Sequence, residues 1–284
     1  MRENYENLYS DNLGDIGIET TSFDSCLRKY MNSIPKLIHY CWFGREEKPL
    51  IVKKCIESWK NILVDYEIKE WNEDNFDINI NEFVRQAYES GKYAFVSDYV
   101  RVYALYNYGG IYLDTDVEVF KRFDDLLSNE SFWGFEEKNF IATSTIGARK
   151  NNELIGKFLD SYNEKSFVKL DGSIDTLTNV AIVSDMVKKM GVNLNGEFQK
   201  IKGIGTFYPQ EYFSPYDYIN CYSKQNENTY AIHHFYKSWL PFSTRVKCSL
   251  KRVLSFIIGG NRVAEIREKI NNSIKEGNKS WEKY

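Results

Sequence analysis

The chain has 284 residues, 43% of them hydrophobic, enough to bury the core of one large domain. A net charge of −3 and an isoelectric point near 5.8 exclude a general nucleic-acid binder, which needs a surplus of Lys and Arg against phosphate. No apolar run approaches the roughly 20 residues that span a bilayer, and the start Met-Arg-Glu-Asn-Tyr-Glu lacks the pattern of a secretion signal. The five scattered cysteines, Cys26, Cys41, Cys55, Cys221 and Cys248, contain no Cys-x-x-Cys pair, so neither a disulfide framework nor a zinc site is signalled and a cytoplasmic protein is expected.

Residues 1 to 33 are polar, carry Gly14 and Gly17 without a long period, and read as an irregular or helical lead-in. Lys36 to Phe43 is a short apolar run stopped by Gly44, the pattern of a buried strand. Pro49 then suits a first helical turn, and Ile51, Val52, Cys55, Ile56 and Trp59 follow at helical spacing. Tyr66 to Trp71 alternates as a second strand, and Phe83, Ala87 and Tyr88 predict a helix ending at Gly91. From Tyr93 to Tyr108 almost no wet face remains, which predicts a deeply buried helix closed by Gly109-Gly110. Ile111 to Asp114 is a short strand, followed by Val117 to Phe120, with a further strand at Phe132 to Phe135. Strand, helix, strand, helix implies an α/β architecture with a mainly parallel central sheet flanked by helices. Beyond position 140 the spacing supports helices at Leu154 to Tyr162 and Leu177 to Met190, and short strands near Thr206 to Tyr208 and Thr229 to His234. Residues 241 to 284 form a basic tail, ten Lys or Arg against four Glu, in which Leu250, Val253, Leu254, Ile257 and Ile258 mark one helical stripe. Three parts are therefore expected: the lead-in 1–33, the main domain 34–240, and the helical tail 241–284.

Asp114 and Asp116 lie two apart in a segment read as extended, which puts both carboxylates on one side and Thr115 on the other. Two neighbouring anions call for a cation, and a divalent ion bridging them to a diphosphate would neutralise both. Val117 and Val119 stand where a calcium-binding loop would be polar, and no phosphate-cradling Gly-x-x-x-x-Gly-Lys-Ser/Thr motif is present. Asp98 and Arg101 share a helix face three apart and can pair; the pair reads either as a structural ion pair or as Asp98, steadied by Arg101, accepting from sugar or ribose hydroxyls. His233, His234, Ser238 and Trp239 crowd one segment that holds two of the three histidines. An imidazole there can complete a metal shell, while Ser238 and the Trp239 indole can donate to phosphate oxygens.

Three segments together resemble a family of Asp-x-Asp sugar transferases. The family includes the yeast initiating α-1,6-mannosyltransferase, bacterial capsule and polysaccharide transferases and, more distantly, the clostridial glucosylating toxins. The segments are Ile34 to Gly44, Tyr93 to Arg101 running into Tyr108 to Val117, and Ala231 to Trp239. The resemblance implies a GT-A-type nucleotide-sugar-binding fold and a retaining hexosyltransferase that needs Mn2+ or Mg2+. It implies Trp42 stacked on the donor's base, Asp98 and Arg101 on donor hydroxyls, and Asp114 and Asp116 serving ribose, metal and diphosphate. Asp116 is the more direct metal ligand, joined by His233, with Ser238 and Trp239 on the β-phosphate; Asp98, Arg101 and Asp116 carry the catalytic roles. Where relatives have a small pair before Ser-Trp, this chain has Tyr236-Lys237. The expected donor is a UDP-hexose ahead of GDP-mannose, and the expected acceptor a lipid-linked oligosaccharide in capsule or surface polysaccharide synthesis. The amphipathic basic tail adds a peripheral contact with the inner face of the membrane. Acceptor contacts are expected from the Phe140 to Ser144 and Leu177 to Ile182 stretches. A transferase acting on protein and a nucleotide-sugar hydrolase are the alternatives.

Overall fold

The computed structural model describes residues 33–137, 139–163, 165–175, 177–217, 222–236 and Arg262. The chain divides into two units, Met1–Ser33 and Ile34–Tyr284, and the described elements and the site lie in the second. The lead-in apart from Ser33 and the basic tail apart from Arg262 lie outside the described residues, as do Ser238 and Trp239.

The apolar run after Pro35 forms β1 (Leu37–Cys41), buried along its length after the first residue. It is followed by α1 (Leu50–Ile62), which packs Val52, Cys55, Ile56 and Trp59 as one buried stripe. β2 (Glu67–Trp71) lies parallel to β1 in the register Leu37↔Glu67 to Cys41↔Trp71. The short α2 (Glu82–Glu89) is capped by Asn81, whose side chain accepts from the Val84 N–H. α3 (Tyr93–Tyr108) buries Val96, Tyr99, Val100, Val102, Ala104 and Leu105; a helix apolar on nearly every side belongs inside the domain. β3 (Gly110–Leu113) returns parallel to β1.

β4 (Val117–Val119) leaves the main sheet and pairs antiparallel with β11 (Ala231–His233). Its position is fixed by α1: the buried Trp59 indole N–H donates to the Val117 carbonyl at 2.7 Å, and the Val119 N–H donates to Ser58 Oγ at 3.0 Å.

The central sheet is mixed, which corrects the expectation of a mainly parallel one. With β5 (Ser131–Glu137), β6 (Phe140–Ala148), β7 (Gln199–Ile201) and β8 (Gly205–Tyr208), the order is β2-β1-β3-β6-β5-β8-β7. The contacts β2·β1, β1·β3 and β5·β8 are parallel, whereas β3·β6, β6·β5 and β8·β7 are antiparallel. The hairpin β5–β6 inserts β6 beside β3. β6 is buried from Ile141 to Ala148, so both faces are covered and no apolar-polar alternation marks it in the sequence. The remaining described helices are a 3-10 turn (Asp124–Leu126), α4 (Glu153–Asp160), α5 (Asn179–Lys189) and the single turn α6 (Gln210–Phe213); a two-stranded pair, β9 (Tyr216–Asp217) and β10 (Tyr222–Ser223), completes the described strands.

Strand alternation splits the core into two faces. Cys41, Tyr112, Trp133 and Phe135 join the cluster built with α2, α3, α4 and α5. Ile38, Tyr40, Ile111, Leu113 and Phe132 join the cluster built with α1, β4 and Phe213. Among the described residues no helix is long and apolar enough to cross a membrane.

Candidate active site

The carboxyl ends of β1 and β3 point the same way, and Asp114 follows directly on β3. In α/β sheets this edge gathers ligands because the loops there are free of strand pairing. The Asp114-Thr115-Asp116 segment is a turn rather than an extended stretch: the Val117 N–H donates to the Asp114 carbonyl at 3.0 Å, because β4 must swing away to reach β11. The turn still brings the two carboxylates together. Donor atoms of Asp114, Asp116 and His233 all lie within 4.8 Å of one another.

Asp116 is the more enclosed carboxylate. Its Oδ1 lies 3.3 Å from His233 Nε2, its Oδ2 accepts from the Tyr236 N–H at 2.7 Å, and its carbonyl accepts from the His234 N–H at 3.0 Å. Phe235 supplies the bend that makes this possible: its φ of 50° is left-handed and its ring packs on His233 with centroids 4.0 Å apart. The chain thus doubles back over Asp116. Burial raises the Asp116 carboxyl, but the charge and hydrogen bond of His233 and the Tyr236 N–H outweigh it and hold it down at about 2. Burial in turn lowers His233, and Asp116, with Asp114 and Glu136 behind it, overrides that and lifts the imidazole to about 9.

Of the two candidate histidines, His233 faces the aspartates. His234 Nε2 lies 2.8 Å from Glu118 Oε2 instead, since neighbouring residues leave a strand on opposite sides.

Arg101 ties the site to α3. Its Nη2 pairs with Asp98 Oδ1 at 2.8 Å and reaches Asp114 Oδ1 at 3.2 Å, while Nη1 donates to the Thr143 carbonyl of β6 at 2.5 Å. The guanidinium lies 4.7 Å from the Tyr112 ring centroid, and the Tyr112 hydroxyl donates to Asp114 Oδ1 at 3.1 Å. Burial pushes the Asp98 carboxyl up to about 6 against the pull of Arg101.

Trp42 follows β1 at the same edge of the sheet, its N–H bonded to the Trp71 carbonyl at 2.9 Å. Three supports of the site have no sequence motif. Asn179, the first residue of α5, donates from Nδ2 to the Asp98 carbonyl at 3.0 Å and accepts from the buried Tyr162 hydroxyl. The Thr143 and Tyr236 contacts run through backbone groups, which every residue carries and no motif announces. Thr178, capping α5 through the Ala181 N–H, is the one local signal near Asn179.

Two carboxylates and one imidazole suit Mn2+ or Mg2+ chemistry. Two observations support that fit. The Asp114, Asp116 and His233 donors already converge, and among the described residues the buried His233 Nδ1 has no hydrogen-bond partner. Those residues can therefore hold a divalent cation while Arg101 balances the charge behind Asp114.

The chain is similar to several known proteins. Inositol phosphoceramide mannosyltransferase 3 of Schizosaccharomyces pombe is 29% identical over 134 residues, 43% of this chain and 35% of that protein; the chain thus spans about a third of its length. An uncharacterized glycosyltransferase of Acanthamoeba polyphaga mimivirus is 26% identical over 243 residues, covering 79% of this chain and 92% of that one. Among solved structures, the PaToxG glycosyltransferase aligns with a TM-score of 0.41 at 20% identity, over 60% of this chain and 77% of that one. Residues 3–173, more than half of the chain and including β1, α3 and the Asp114–Asp116 turn, match the capsular polysaccharide synthesis protein family, and the chain belongs to that family.

Proposed function

We propose that the chain is a metal-dependent, retaining glycosyltransferase of GT-A type that moves a hexose from a nucleotide diphosphate sugar, a UDP-sugar first, to an acceptor hydroxyl in capsule or surface polysaccharide synthesis. The observation that carries this reading is the convergence of Asp114, Asp116 and His233 beside the Asp98–Arg101 pair. Membership of a capsular polysaccharide synthesis family supports it, as does the similarity to a named mannosyltransferase.

A divalent cation held by Asp116, His233 and Asp114 supplies positive charge against the diphosphate and its developing negative charge. Asp98 accepts from hydroxyls of the donor, and Arg101, pinned by Asp114 and the Thr143 carbonyl, keeps that carboxylate in place. The Trp42 indole stacks on the base. Ser238 and Trp239 donate to the β-phosphate, and the acceptor is an oligosaccharide on a lipid carrier, brought close by contact of residues 241–284 with an anionic membrane face.

The test is release of free nucleotide from a panel of UDP- and GDP-sugars with manganese, with and without polysaccharide-type acceptors. One donor should be turned over, with turnover abolished by chelator and reduced at least about 100-fold in Asp116→Ala. Turnover that ignores both treatments contradicts the site. Nucleotide release that no acceptor accelerates favours the hydrolase reading.

A further inference from the structure

Trp42 differs from its fellow tryptophans. Of the four among the described residues, Trp59, Trp71 and Trp133 are buried, whereas Trp42 is only half-buried. It nevertheless belongs to a built loop. The register Ile38↔Ile111, His39↔Tyr112, carried on, puts Cys41 level with Asp114 and Trp42 one residue beyond. The indole N–H is already spent on the Glu46 carbonyl at 2.7 Å, so the ring offers a ligand its π surface and no donor.

One side of that ring is taken. Lys48 Nζ lies 5.6 Å from its centroid and is held by Glu70 Oε2 at 2.9 Å, both side chains being only about a quarter exposed. Glu70 is fixed in turn by the Tyr40 hydroxyl and by Asn72 Nδ2 at 3.2 Å. The loop is strapped twice more to the segment after β2: the Gly44 N–H donates to Glu73 Oε1 at 2.7 Å, and Arg45 pairs with Asp74 at 2.8 Å. Gly44 (φ 96°) and Arg45 (φ 58°) both sit in the left-handed region, a cost at a non-glycine residue that persists where the surroundings over-determine the backbone.

We propose that Lys48 and Glu70 are positioning residues for nucleotide recognition: Lys48, held by Glu70, covers one face of Trp42 and fixes its angle so that the other face receives a flat nucleobase. The inference rests on the nucleotide-sugar reading above and deepens it. A ring fixed before the ligand arrives spares the entropy of ordering it on binding, and a π face without a free donor takes any base through stacking. Base identity is therefore not read at Trp42 itself.

The experiment is calorimetry on the full chain with manganese, using UDP, GDP and inorganic pyrophosphate as probes. Lys48→Met should weaken nucleotide binding roughly 3- to 10-fold and leave pyrophosphate unchanged. Lys48→Arg should restore most of the loss, and Glu70→Gln, which keeps the shape but frees the ammonium, should reproduce it with an unaltered melting temperature. In a Trp42→Ala background Lys48→Met should cost nothing further. Equal weakening of pyrophosphate would mean that Lys48 acts on phosphate and would overturn the proposal, as would unchanged nucleotide binding in Lys48→Met. If the unmutated chain binds pyrophosphate but neither nucleotide, the nucleotide reading itself fails.

Discussion

Arg101 serves three partners at once: the Asp98 carboxylate, the Asp114 carboxylate and the Thr143 carbonyl. The pairing with Asp98 is legible from the i, i+3 spacing on α3. The reach to Asp114 is not, because it depends on how closely α3 lies against the end of β3. Replacing Arg101 by Met leaves two half-buried carboxylates without their counter-charge, and a loss of about 3–5 kcal/mol is expected in urea unfolding; a change below about 1 kcal/mol would mean that the pair is not the anchor described. His233 gives a pH prediction. Its folded pKa of about 9 lies above the ordinary value, so its ion pair with Asp116 stabilises fully below about pH 6.5 and the contribution is lost as pH rises through about 9. A metal needs the neutral ring, so binding must expel that proton. Apparent manganese affinity should rise about tenfold per pH unit between about 7 and 9 and then level off, with close to one proton released at pH 7 in calorimetry across buffers; a flat profile would remove His233 from the ligand set.

At the scale of elements, β3 and its turn decide where Asp114 stands. Gly110 opens β3 with φ 109°, and a Cβ there would meet the Leu37 carbonyl oxygen of β1 at 2.4 Å. Gly110→Ala should therefore cost roughly 2–4 kcal/mol of stability and weaken metal binding by moving Asp114; thermal melts and a manganese titration read both, and an unchanged melt would show that β1 and β3 tolerate separation. The helix from Tyr93 to Tyr108 has the span its sequence predicts, since its apolar run continues without a break until Gly109 ends it. The Asp114-Thr115-Asp116 segment looks extended in the sequence and is a turn in the structure. Alternation within three residues cannot distinguish a strand from a turn, and what bends the chain here is distant: Trp59 of α1 holding Val117, and β11 holding β4.

In the whole molecule, the legible half of the sheet is the half built from strand-helix-strand units, β2-β1-β3. In the other half β5 and β8 are legible as strands at Phe132 to Phe135 and Thr206 to Tyr208, but the strand that joins them to β3 is not, because β6 is a run rich in small and hydroxylated residues, Thr143, Ser144 and Thr145 among them, buried by its neighbours rather than by its own hydrophobicity. The site shows the same division. Asp114, Asp116 and Asp98 stand out in the sequence, while the choice of His233 over His234 needs the register of β11 against β4. Because Asp114 and Asp116 come from the β3–β4 turn and His233 from β11, far apart in the chain, the candidate metal ligands converge only when β4 pairs with β11. The most direct test is a manganese titration of the full chain followed by electron paramagnetic resonance, for the unmutated protein and for Asp116→Asn, with UDP absent and present. One site, tightened by UDP and lost in Asp116→Asn, is the predicted result; equal manganese binding in both proteins would contradict the assignment of Asp114, Asp116 and His233 as the metal ligands of the proposed transferase.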